Sequence, residues 1–211
     1  MKQIVKGSSP NDFDQWKNDF AVTYGRQPTY DDLLGDVKQN LKYALLQEQG
    51  HICCYCTKEL DYECHIEHFV PQSSTVRSGS LLTLDYDNML VSCNGEGDDR
   101  SSCGHYKNNV DFDILLSPTS SEVEKQFEYD VLGNILGATA SASETIRWLN
   151  LNSFALKRHR ETAIYNCGCM DEDFEDIRDE LIEEYSSRDE HGAFVPYCMA
   201  ILFIIRCGIR D

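Results

Sequence analysis

Cys64-His65-Ile66-Glu67-His68-Phe69-Val70-Pro71-Gln72-Ser73 is the stretch on which the fold turns. Three groups able to bind a metal or carry a proton fall within four positions, and an apolar pair and a proline follow. On a regular strand successive side chains alternate, so His65 and Glu67 point to one face and His68 to the other. A bend near Pro71 would converge Glu67 and His68 on one site. The candidate strand runs from His65 to Val70. A second apolar run, Asn88 to Cys93, offers it a partner strand, and the polar stretch Pro71 to Asp87 lies between them. Cys103 to Val110 reads as the opening of a short helix. The order is therefore strand, loop, strand, helix.

Cysteines bracket this segment. Cys53-Cys54-Tyr55-Cys56 contains Cys-x-x-Cys, and Cys93 and Cys103 flank a loop rich in Gly, Asp and Ser in which Gly95 and Gly97 let the chain turn back. Structural zinc takes four cysteine or histidine ligands in a tetrahedron, two of them commonly from a tight Cys-x-x-Cys turn. Cys53, Cys56, Cys93 and Cys103 are the candidate ligands. Cys54 and Cys64 compete for the same positions, and ordinary buried thiols are the plain alternative. A thioredoxin-like redox pair lacks its βαβ setting. Cys167-Gly168-Cys169 is too tightly spaced for a ligand pair, and Cys198 and Cys207 read as core residues.

Working outward, the 211-residue chain is 41% apolar, enough for a buried core, and carries a net charge of −17. Such a chain is repelled by nucleic acid and by anionic membranes unless metal, a local basic surface or a basic partner intervenes. Met1 to Pro10 holds no apolar run that would read as a secretory signal, so the ten cysteines are expected to be reduced or metal-bound and the protein cytoplasmic. Trp16 and Phe20 suggest a short helix. Thr29 to Gly50 is the clearest one: Thr29 and Asp32 fit a capping box, and Leu33, Leu34, Val37, Leu41, Ala44 and Leu45 share a face before Gly50 stops it. Helical periodicity returns from Glu144 onward through Ile146, Leu149, Leu151, Phe154, Leu156 and Ile164, with a basic cluster at 157–160. Residues 171–190 hold 11 acidic and 2 basic side chains, a pattern of a solvated face or of an arm that docks on a basic partner. The longest apolar run, Phe194 to Ile205, is too short to span a bilayer and suits a buried helix or a docking segment.

The decapeptide resembles the first strand of an HNH nuclease, where Asp-His or Glu-His precedes an apolar pair, a proline and a polar residue. Tyr86-Asp87-Asn88-Met89-Leu90-Val91-Ser92-Cys93 resembles the family's central segment, and Cys103-Gly104-His105-Tyr106-Lys107-Asn108-Asn109 its closing one. The flanking cysteines match the zinc-stapled subfamily. The wider layout, including Gln49-Gly50-His51-Ile52-Cys53 and a Leu-Asn-Leu-Asn segment at 149–152, resembles the HNH subunit of the Septu anti-phage system, the PtuB type, which also occurs beside retron reverse transcriptases.

That resemblance implies an α+β fold: a small zinc-stapled ββα-metal core at 51–112, wrapped by an N-terminal helical region (1–50) and a C-terminal mainly helical region with an acidic arm (113–211). It implies a metal-dependent endonuclease acting on DNA, with His68 as general base, Glu67 as ligand of a catalytic Mg²⁺ or Mn²⁺, and Asn88 positioning the base through the crossing loop. It further implies an ATPase partner of the PtuA type, in some systems a retron reverse transcriptase with its RNA and DNA, and no membrane. The last ligand departs from the pattern, because Gly104 stands in the usual slot. His105 is the first substitute, with Asn109 and Asn108 as alternatives and His65 as a further metal or phosphate contact. A non-catalytic zinc scaffold is the competing reading, favoured by the acidic charge and the missing ligand. A zinc hydrolase lacks the His-Glu-x-x-His helix.

Overall fold

A computed structural model describes residues 1–94, 102–111, 113–169, 171 and 174–207. Gly95 and Gly97 lie outside the described residues.

Two short strand-forming runs set the central hairpin. β1 (His65–His68) pairs antiparallel with β2 (Met89–Ser92), in a register that puts Glu67 opposite Leu90 and His68 opposite Met89. β2 is buried along its whole length, and α2 (Gly35–Glu48) packs over it with Leu41, Leu45 and Leu46. α3 (Cys103–Lys107) closes the unit. β1 ends two residues earlier than its sequence suggests. The Asn88 side chain takes both backbone groups of Val70, accepting from its N–H (2.8 Å) and donating to its carbonyl (3.0 Å), so Val70 cannot extend the ladder.

The N-terminal helix at Trp16 and Phe20 is α1 (Asn11–Tyr24). The expected helix from Thr29 splits in two. The Thr29–Asp32 capping box forms, but it closes a 3-10 turn at Tyr30–Asp32. The chain is extended again at Leu34, which is 69% exposed rather than on the apolar face, and α2 begins at Gly35. Gly50, at φ 65°, ends α2 as read from the sequence, since only glycine takes that left-handed position without strain.

A second hairpin, β3 (Phe127–Tyr129) with β4 (Ile135–Gly137), precedes α4 (Ala140–Trp148) and α5 (Phe154–Asn166). The buried Arg160 of α5 donates to the carbonyls of Gly133 and Leu151, both at 2.7 Å, and so ties this hairpin to the turn between α4 and α5. α6 (Phe174–Ser186) and α7 (Cys198–Cys207) pack together. The acidic run is a solvated face of α6: Glu175, Asp176, Asp179, Glu180, Glu183 and Glu184 are exposed, whereas Tyr185 is buried. The apolar run is a core helix and no docking arm, since Cys198, Met199, Ala200, Ile201, Leu202, Ile204 and Ile205 are all buried within the chain. Cys207, by contrast, is exposed. The architecture is α+β, helices around two small antiparallel sheets. No helix among the described residues is long and apolar enough to cross a membrane.

Candidate functional site

The cysteine node is built from three separate segments. The Cys53–Cys56 turn is closed by Thr57 N–H donating to Cys53 O (3.0 Å) and lies against β2 through Cys54 N–H donating to Val91 O (3.2 Å). Cys93 follows the last residue of β2, and Cys103 opens α3, its N–H donating to Leu149 O of the C-terminal region. The sulfurs of Cys53, Cys56, Cys93 and Cys103 all lie within 4.8 Å of one another, and all four residues are buried. Cys56 and Cys93 are 3.8 Å apart, sulfur to sulfur, the edge of a tetrahedron whose metal–sulfur bonds are about 2.3 Å. Burial resists ionisation of Cys53, yet the neighbouring thiols of Cys103, Cys54, Cys56 and Cys93 outweigh it and hold its proton affinity well below a free thiol's. The donor set fits structural zinc, with no side open to a substrate. Cys54 and Cys64 are buried outside this group.

On the other side of the same hairpin, the bend after β1 brings both of its last side chains to one cavity of about 290 Å³, also lined by Pro71, Gln72, Ser73, Lys107, Asn108 and Asn109. His68 is held at both nitrogens. Its Nε2–H donates to the Thr83 carbonyl (2.9 Å), which leaves Nδ1 as the lone-pair nitrogen, and Gln72 Nε2 donates to it (3.3 Å). Burial lowers the His68 proton affinity below that of an ordinary imidazole, so it is neutral near pH 7. Asn88, buried, donates also to Leu82 O (3.2 Å) and thereby pins the loop at the residue before Thr83.

Glu67 is buried and fully engaged on one oxygen. Oε1 accepts from Lys107 Nζ (2.8 Å) and Tyr55 OH (3.0 Å), and Lys107 also donates to His68 O (3.0 Å). Burial raises the carboxyl's proton affinity, but His65 and Lys107 more than offset it, and Glu67 is ionised. Its Oε2 faces His65 Nε2 at 3.4 Å. His65 Nδ1–H donates to Asn94 Oδ1 (3.2 Å), which leaves Nε2 turned toward the carboxylate oxygen. Gly104 makes that approach feasible: a Cβ there would overlap Glu67 Oε2 and lie 2.7 Å from His65 Nε2.

The expected base and metal ligands thus divide. Glu67, His68 and Asn109 share the cavity, with Asn108 beside them, and His65 meets Glu67 from the flank. His105 does not line the cavity. Its ring lies 4.1 Å from that of His65, and its Nε2–H donates to the same Asn94 Oδ1 (3.1 Å). Sequence reasoning missed Lys107 and Tyr55, the latter hidden inside the Cys-x-x-Cys turn. Nothing in the sequence marks Thr83 and Gln72 as partners of His68, or Asn94 as the partner of His65 and His105.

Fold and site define a small α+β protein in which a buried four-cysteine node backs a histidine–carboxylate cavity. By sequence the chain is similar to an Escherichia coli protein named "Retron Ec83 putative HNH endonuclease", 28% identical over an alignment 173 positions long, with 63% of this chain and 67% of that one covered. No protein-family model matches the chain.

Proposed function

We propose that the chain is a metal-dependent HNH endonuclease that hydrolyses phosphodiester bonds in DNA. The observation that carries this reading is the pairing of Glu67 and His68 on one cavity, with the imidazole neutral and its tautomer fixed. Once Gln72 gives up its contact, His68 Nδ1 takes a proton from water, and the Thr83 carbonyl holds Nε2–H and stabilises the imidazolium that forms. Asn88 holds the loop that carries this carbonyl. Glu67 and His65 would hold Mg²⁺ or Mn²⁺, which keeps several waters and needs few protein donors. When bound, the ion supplies positive charge to the phosphate and leaving oxygens. Zinc would be confined to the cysteine node.

The name of the relative and the Septu-like layout support a place in an anti-phage defence complex, as the effector subunit of a PtuB type beside an ATPase of the PtuA type or a retron reverse transcriptase. The second reading, a non-catalytic zinc scaffold in such a complex, is favoured by Gly104 in the ligand slot and by Lys107 on Glu67. Purified chain, alone and co-expressed with the neighbouring ATPase, is incubated with supercoiled plasmid and Mg²⁺ or Mn²⁺. Nicking that vanishes in His68→Ala supports the nuclease. No nicking under either condition favours the scaffold.

A further inference from the structure

Next to His68 stands a pair of residues that the strand–loop–strand–helix segment does not contain. Tyr30, in the 3-10 turn before α2, meets the His68 ring edge-on with centroids 4.7 Å apart. Lys38, in the first turn of α2, sets its ammonium over the Tyr30 ring at 4.7 Å from the centroid. Cation, aromatic ring and imidazole form one row, and the charge of Lys38 is felt at His68.

The other cations around the cavity are already engaged. Lys107 is paired with Glu67, and Arg77, over the Phe69 ring, is paired with Asp111. Lys42, one turn along α2 from Lys38, donates to the carbonyls of Tyr62 (2.5 Å) and Cys64 (3.2 Å). Lys38 has no carboxylate partner among the described residues; an aromatic face steadies it instead. A carboxylate there would compete with a phosphate, whereas a ring fixes the ammonium without neutralising it.

We propose that Lys38, carried on Tyr30, binds a backbone phosphate of the DNA strand and seats that strand beside His68. The role rests on the nuclease reading of the same site. Both are positioning residues, supplied by the N-terminal helical region to a histidine that a later part of the chain contributes to the cavity.

The test uses the full chain and a short labelled DNA duplex. Binding is measured across a salt series without divalent metal, and cleavage with Mn²⁺. Lys38→Gln is expected to weaken binding about tenfold and to reduce the slope of log affinity against log salt by about one, the signature of one lost phosphate contact. KM rises and kcat changes little. Tyr30→Ala follows Lys38→Gln, and Tyr30→Phe, which keeps the ring, behaves as wild type. Lys125→Gln removes a remote cation already paired with Glu122 and leaves slope and KM unchanged. Melting curves check that each variant folds. Wild-type cleavage with an unaltered slope and KM in Lys38→Gln overturns the inference and leaves the nuclease reading intact. An equal loss in Lys125→Gln overturns it too, because the effect would then be one of overall charge. A wild-type chain that neither binds nor cuts DNA defeats both.

Discussion

The cysteine node and the histidine–carboxylate cavity are built from the same hairpin and the same short helix, yet they obey opposite rules. At the node four like donors converge, all buried, with no opening. At the cavity no two polar groups do the same work: one carboxylate oxygen is bound by Lys107 and Tyr55 while the other faces an imidazole nitrogen of His65. A closed, uniform site can be strong without being reactive. An open, unequal one leaves groups with work to do, and it depends on the closed one for its frame. Cys103 and Gly104 are neighbours in the chain, one in each site.

Breaking the frame should have the largest effect. Zinc binding to structural sites contributes on the order of 10 kcal/mol, comparable to the whole stability of a domain. Cys103→Ser, or stripping by a chelator, should therefore unfold the core. Circular dichroism and metal analysis check this, with about one zinc per chain expected in the folded protein. Folded, zinc-free protein with an unchanged melt would show that the node is only a thiol cluster. The reactive site should respond in the opposite way. His68→Ala should lower cleavage by roughly 10²–10⁴-fold while leaving zinc content and melting temperature near wild type. A variant that cuts at full rate would remove His68 from its assigned role.

Asn88 lies between these extremes. Asn88→Ala leaves Val70 and Leu82 backbone groups without their partners, at a cost of about 1–3 kcal/mol, and loosens the loop that carries Thr83. Denaturant unfolding and plasmid nicking should both be impaired. If stability falls and nicking does not, the loop has no part in holding the base. The smallest effect is expected at Gly104. Gly104→Ala puts a methyl group against Glu67 and His65, where Lys107 and Tyr55 limit retreat, and should cost about 1–2 kcal/mol. Urea titration reads the cost, and a neutral result would mean that Glu67 moves freely.

Much of this contrast was legible in the sequence, for physical reasons that differ along the chain. The hairpin and the cysteine quartet carry their signals locally, in short strand-forming runs and in ligand spacing. The meeting of Glu67 and His68 on one cavity did not follow from alternation, which separates them; it depends on the bend after β1 and on Asn88 taking over Val70. The Thr29–Asp32 box was read correctly as a cap but assigned to the wrong helix, because a capping pattern does not say how many turns follow it. The β3–β4 hairpin left no trace, since three residues per strand are too few to show a period. Burial of the 198–207 helix depends on what covers it, which a run of apolar residues alone does not specify.

The backbone contacts that close the molecule also bear on the order in which it can form. Ile4 N–H is satisfied by Pro118 O, Lys2 pairs with Glu124, and Phe194 N–H donates to Gly50 O beside the Cys-x-x-Cys turn. These partners are far apart in the chain, so their loops close late and at an entropic cost that local helices never meet. On a ribosome adding roughly 5–20 residues per second, Gly50 waits on the order of ten seconds before Phe194 is made. During that interval the cysteine turn is exposed and unfinished, with Cys93 and Cys103 arriving in between. The protein is therefore a late-closing chain, one in which metal capture can precede completion of the shell around it.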